Sequence, residues 1–208
     1  VWSIWHPVHV DTPGLDGLRW WNAHRPADIR SFLTAFMERW DDLDERETLT
    51  FAMTSALAAG QTAVVEQRLM TTIAEIEHLS WVDEVLTRRL TEQKWRSENA
   101  AWRIRRLLIR AGVPLHVDPH RTAELASYAK SNGGGDGPGA LVAVRDAITH
   151  PKDRRHLYGP PALLSEASRL AARYLDLLVL RRVGYNGHIN DRTKFPRPDW
   201  ESEPVPWA

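Results

Sequence analysis

"PALLSEASRLAARYLDLLVLRRVG", residues 161–184, is the stretch whose reading decides the fold. Leu163, Leu164, Ala167, Leu170, Ala171, Tyr174, Leu175, Leu178 and Val179 recur at spacings of three and four, which is helical periodicity, and they leave little of the circumference polar. A helix that is apolar almost all round has no face to give to water, so the pattern places segment 161–183 at the centre of a helical bundle. Gly184 fits the left-handed position just past the last turn, and the Trp- and Pro-containing tail beyond it reads as extended. The densest apolar run, "YLDLLVL" at 174–180, is interrupted by Asp176 and falls far short of the roughly 20 residues a membrane span needs.

The segments around this centre are helical too. Asp28 is placed to cap "IRSFLTAFMERW" (29–40), where Ile29, Phe32, Leu33, Phe36 and Trp40 form an apolar stripe. A second helix is expected over about 45–59, closed by Gly60, and a third within "QTAVVEQRLMTTIAEIEHL" (61–79), with Val65, Leu69, Ile73, Ile76 and Leu79 on one face. A long fourth helix is expected over about 82–111, stopped by Gly112 and Pro114. Short helices follow at 118–130 and about 139–149, separated by "SNGGGDGPG". No strong period-two segment follows residue 28, so the expected fold is an all-α bundle over 28–190 with an extended tail over 191–208. Residues 1–27 hold four tryptophans around a Pro-Gly turn signal and read as a short hairpin or extended arm. Those indoles need cover, from the bundle or from an upstream domain. Because the first residue is Val1 and not Met, the chain is expected to be part of a longer protein.

With 208 residues, 43% hydrophobic and 26% charged, the composition is that of a globular protein with one substantial core. The absence of cysteine excludes disulfides and thiolate metal sites and is compatible with a reducing cytoplasm. Net charge is zero, yet Lys plus Arg number 10 against 16 Asp plus Glu in residues 1–100, and 17 against 11 in residues 101–208. This asymmetry either presents a basic field to a polyanion or binds the two halves to each other.

Four stretches invite chemistry. "GGGDGPG" (133–139) clusters backbone amides as anion-binding loops do, but it lacks the Gly-Lys-Ser/Thr ending and reads as an interhelical connection. "HVDPH" (116–120) offers His116, Asp118 and His120 at alternate positions, either as metal ligands or as an N-capping Asp between surface residues. Arg103, Arg106 and Arg110 form a basic stripe that either tracks a phosphate backbone or is a solvated helix face. In "VRDAITHPKDRR" (144–155), Pro151 disfavours helix at His150, which puts the histidine at the fraying terminus and lets its ring swing toward Arg145. A histidine moves protons near neutral pH and an arginine stabilises phosphate, a pairing that suits RNA cleavage by the neighbouring 2′-OH with no metal or other cofactor. The alternative is a cationic helix end, with His150, Lys152 and Arg154 favoured by the macrodipole.

"RDAITHP" (145–151) resembles the signature of the HEPN superfamily, helical domains marked by Arg, four to six residues, then His. The similarity extends to "VVEQRLMTTIAEIEHL" (64–79) and "ALLSEASRLAARYLDLLVLRRVGYNGHIN" (162–190), and with "EPVPW" (203–207) the chain is, more narrowly, similar to the C-terminal HEPN region of ApeA-like bacterial anti-phage proteins. The resemblance implies a HEPN-type bundle and a metal-independent endoribonuclease, acting as a homodimer whose motifs face one cleft, in abortive infection or as a toxin. His150 would be general acid or base, Arg145 would stabilise the pentavalent phosphate, and Asp146 would orient Arg145 or the ribose. Lys152, Arg154, Arg155 and the stripe of Arg103, Arg106 and Arg110 would bind RNA. A mainly β domain would precede the helices, with residues 1–27 as its remnant or tail, and an upstream sensor domain or a phage-derived trigger would be the partner. Lys152 stands where one family variant has a nucleotide-modified tyrosine, so that regulation is not expected. The alternative is a non-catalytic HEPN-like module that binds RNA, a nucleotide or a protein partner.

Overall fold

Helices account for nearly all the regular structure in the computed structural model, which describes residues 20–22, 24–61, 64–150, 155–194 and 201–208. In chain order these are α1 (Pro26–Trp40), α2 (Leu43–Gln61), α3 (Val65–Trp81), α4 (Glu92–Ser97), α5 (Ala100–Ala111), α6 (Ala123–Tyr128), α7 (Gly137–Thr149), α8 (Arg155–Tyr158) and α9 (Leu163–Val183). Single π-helical turns, Val82–Leu86 and Ala129–Gly133, extend α3 and α6. The fold is all-α.

The apolar 161–183 segment becomes α9, and it is the central helix: its leucines, Tyr174 and Val183 are buried along its length, and α1, α2, α3, α5, α6, α7 and α8 all pack against it. Its end is a Schellman turn. Gly184 takes φ 79°, its N–H bonds to the Arg181 carbonyl at 3.1 Å and the Tyr185 N–H to Leu180 at 3.0 Å. Gly112 stops α5 in the same way, at φ 73°. No described helix is long and apolar enough to cross a membrane.

The long helix expected over 82–111 is instead broken into three pieces. The Glu84 carbonyl accepts the N–H groups of both Arg89 and Leu90, Arg88 adopts φ 58°, and the chain turns away. Thr91 and Asn99 then start new helices, their side chains accepting from Lys94 N at 3.2 Å and Trp102 N at 2.8 Å. Both are residues that exchange helix continuation for a cap. Trp95 anchors the returning α4 by donating its indole N–H to Ser80 at 3.2 Å and packing edge-on against Trp81.

Smaller differences have similar causes. Pro26 opens α1, so Asp28 lies in the first turn, paired with Arg25 at 2.6 Å, and does not cap it. The helix expected from Asp118 begins at Ala123, because the Asp118 carbonyl closes a turn onto Thr122. The buried Glu166 of α9 then caps α6 by accepting the Leu125 N–H at 2.8 Å.

Segments flanking the bundle pack on it. Strands β1 (His188–Ile189) and β2 (Glu203–Pro204) pair antiparallel, His188 opposite Pro204, and Trp207 donates to the Tyr185 carbonyl at 2.8 Å. Trp20 packs against Phe32 and Tyr185, and the carbonyls of Trp20 and Trp21 each accept from Asn190 at 2.6 Å. Trp20 therefore takes its cover from the bundle, and the Trp21 ring packs edge-on against Trp20; Trp2 and Trp5 lie outside the described residues.

Candidate functional site

The site is built at the far end of a helix whose start is fixed tightly. Gly134 and Gly135 supply the left-handed turn (φ 72° and 87°) that a side chain would strain, and Asp136 caps α7 by accepting the Gly139 N–H at 2.9 Å. Arg105 grips the same carboxylate with both Nε (2.6 Å) and Nη2 (3.0 Å), and this hydrogen bonding raises its pKa. Gly137 has no room for a Cβ, which would lie 2.0 Å from the Tyr174 hydroxyl. The glycine-rich stretch thus serves helix α7 and its packing on α9, and α7 starts at Gly137, two residues before the expected 139.

From that start α7 runs to Thr149 with Val144 buried and Arg145 half-buried. Arg145 donates from Nη1 to Glu77 of α3 at 2.8 Å and from Nε to Asp146 at 3.0 Å, with Nη2 at 2.9 Å from the same Asp146 oxygen. The other Glu77 oxygen accepts from Arg103 of α5 at 3.3 Å. One carboxylate therefore holds two arginines from different helices. Arg103 is fixed further by bonds to the Trp95 carbonyl (3.0 Å) and the Arg96 carbonyl (3.3 Å), with its guanidinium 3.9 Å above the Trp95 ring. Asp146 stays exposed; its charge adds to burial in raising the pKa of Tyr128.

His150 is the C-cap of α7, outside helical geometry at φ −125°, ψ 67°, with its N–H still bonded to the Asp146 carbonyl at 2.8 Å. The residue is exposed. Arg145, Asp146 and His150 thus share one helix end, but Arg145 is bonded to Asp146 and Glu77 and not to His150. A guanidinium carries five N–H donors in a planar fork, and three contacts of Arg145, to Glu77 and Asp146, are described.

Of the other candidates, Arg106 and Arg110 reach the buried Glu84, at 3.0 and 3.2 Å, so each arginine of the expected stripe faces a carboxylate of α3 or the π-helical turn that extends it. Arg182 likewise joins Glu45 and Asp83 at 2.6 Å each. The acidic and basic halves of the chain are bound to each other by these pairs. Lys152 and Arg154 lie outside the described residues, and Arg155 opens α8 with a side chain that is not described. Asp118 is engaged by Arg121 at 3.1 Å and by the His120 N–H at 2.9 Å, and no group of three His, Asp or Glu suited to a metal ion occurs among the described residues.

Sequence reasoning missed Glu77 and the three tryptophans Trp81, Trp95 and Trp102 around the same end of the bundle. Glu77 sits beside the apolar stripe of α3 in sequence, and only tertiary packing gives it its partners. In comparison with known proteins, residues 42–205 match the YopA C-terminal domain. The chain is 26% identical over 210 residues to the uncharacterized SPbeta prophage-derived protein YopA of Bacillus subtilis (strain 168), covering 98% of this chain and 46% of that protein. It thus spans about half the length of this curated relative. No solved structure matches the chain. By the extent of the match over its helices and tail, the chain belongs to the YopA C-terminal domain family.

Proposed function

We propose that this domain is a metal-independent endoribonuclease of the HEPN type. The observation that carries the reading is the end of α7: a guanidinium held by Glu77 and Asp146, five residues before an exposed imidazole released from the helix at its cap. Fixed donors aimed at developing negative charge stabilise a transition state with little reorganisation. In the reaction, a base removes the proton of the RNA 2′-OH, the oxygen attacks the adjacent phosphorus, and the 5′ oxygen leaves with a proton from an acid. His150 supplies one of these proton transfers. The second is assigned to His150 of a second copy in a two-fold homodimer, with the motif ends of α7 near the axis. Asp146 orients Arg145 through the pair already formed. The setting that goes with this reading is anti-phage defence or toxicity in the cytoplasm, within a longer protein; the similar protein is prophage-derived, and this chain spans 46% of it.

A second reading, a non-catalytic module that binds RNA, a nucleotide or a protein partner, is favoured by the two carboxylates that offset the charge of Arg145. The product chemistry separates the two. An oligoribonucleotide incubated with the protein should give 2′,3′-cyclic phosphate ends and resist cutting at any site whose 2′-OH is replaced by hydrogen. Cleavage of the 2′-deoxy site at an equal rate would exclude 2′-OH attack, and no cleavage by a preparation shown to be dimeric by sedimentation would favour the binding module.

A further inference from the structure

The surface made by the end of α3 with α4 and α5 carries an alternation of indoles and cations. Trp81 and Trp95 pack edge-on with centroids 5.0 Å apart. Arg96 lies 5.7 Å from the Trp81 ring, while Lys94 and Arg106 flank the Trp102 ring at 5.9 and 5.6 Å. All three tryptophans are half-buried. The three cations stay accessible, with 68% of the Arg96 side chain, 56% of Lys94 and 38% of Arg106 exposed. Arg103 links this surface to the end of α7, since it bonds to the Trp95 carbonyl on one side and shares Glu77 with Arg145 on the other.

We propose that Trp81, Trp95 and Trp102, with Lys94, Arg96 and Arg106, form a platform for single-stranded RNA that leads toward Arg145. Unpaired bases present π-faces that stack on indoles whatever their sequence, and phosphates pair with cations spaced between them. In a duplex the bases are stacked on one another and cannot reach the rings. The two α4 cations have weak present partners: Glu92 for Arg96 and Glu98 for Lys94 are i, i+4 pairs at the surface, and exposed cation–π contacts are weaker than a base–indole stack. A strand would displace both and release Lys94 and Arg96 to its phosphates, while Arg106 stays paired with the buried Glu84 beside the Trp102 ring.

The choice of RNA rests on the ribonuclease reading, but the binding does not require cleavage, which allows the two to be tested apart. The probe is a fluorescein-labelled 2′-O-methyl oligonucleotide of about 12 nucleotides, matched to the length a single-strand groove spans and resistant to 2′-OH attack. Anisotropy titrations of the full chain should show that Trp102→Ser weakens binding about 5- to 100-fold, as for loss of one base stack, while Trp102→Phe keeps most of it. The blunt duplex of the same sequence should bind at least about tenfold more weakly than the strand. Should Trp102→Ser fail to fold, Lys94→Gln and Arg96→Gln on the exposed face give the same test, each reducing the slope of log affinity against log salt by about 0.7. No binding by the wild type, or unchanged affinity and salt slope in these variants, overturns the platform. Loss of strand binding in the variants supports it even if wild-type protein cuts no RNA, an outcome that would sink only the ribonuclease reading.

Discussion

Glu75 is a carboxyl that the fold buries, and its ionisation should make stability depend on pH. It lies on α3, 1% exposed, and neither side-chain oxygen has a partner of bonding geometry. Burial pushes its pKa from 4.5 up to about 7, with the Ser55 hydroxyl of α2 acting weakly the other way. Because the folded value lies above the unfolded one, the unfolded chain gives up its proton first as pH rises. The contribution of Glu75 to stability is therefore full below about pH 4.5, declines between there and about pH 7, and above that carries the whole cost of ionising this buried group. A shift of this size corresponds to at most about 3 kcal/mol. Glu75→Gln keeps the shape and removes the ionisation, so the variant should match the wild type near pH 4.5 apart from a constant offset and gain on it as pH rises. For a domain of this size about 3 kcal/mol is roughly 6–12 °C in Tm. The assay is thermal unfolding of both proteins between pH 4.5 and 8.5, read as the difference in Tm. Other buried carboxyls with raised pKa, Glu166 and Asp176, are common to both proteins and cancel in that difference. A difference that does not change with pH would refute the reasoning.

Two further substitutions test the packing that positions the site. Gly137→Ala should destabilise by about 1–3 kcal/mol in urea unfolding, because its Cβ meets the Tyr174 hydroxyl, and Tyr174→Phe in the same chain should restore part of the loss. A neutral Gly137→Ala would remove the structural explanation of the glycine-rich stretch. Glu77→Ala leaves Arg103 and Arg145 without their shared carboxylate and should cost about 1–3 kcal/mol while lowering RNA cleavage; an unchanged urea midpoint would show that the carboxylate does not hold the two helices.

The fold was legible where one segment's pattern had a single solution. Segment 161–183 is apolar almost all round and supplies the central helix α9, and Gly184 and Gly112 end helices in the left-handed conformation that glycine adopts without strain. Where two local solutions compete, the sequence pattern misled. The apolar periodicity of 82–111 runs through Thr91 and Asn99, yet each of these side chains offers its own backbone a cap, and the anchoring of Trp95 on Ser80 decides for the break. Arg145, Asp146 and His150 could be placed at a helix end from Pro151 alone. What holds Arg145 could not, because Glu77 lies 68 residues away in sequence and 26 from Arg103, and nothing local marks it. The basic stripe on α5 was visible as charge, but its carboxylate partners, Glu77 and Glu84, belong to another helix and its π-helical extension. Charge asymmetry between the halves is thus resolved mainly inside the molecule, and the cations that lie against the surface tryptophans are Lys94 and Arg96 of α4 and Arg106 of α5.

The central claim is that His150 and Arg145 cut RNA without a metal ion, and the most direct measurement is the cleavage rate of a single-stranded RNA in excess chelator by wild-type protein and the two alanine variants. The wild type should cleave equally with and without chelator, His150→Ala should lose about 10²- to 10⁴-fold in rate, and Arg145→Ala about 10²- to 10³-fold, with circular dichroism unchanged for the exposed His150→Ala. Activity that survives His150→Ala but disappears with chelator would contradict the account.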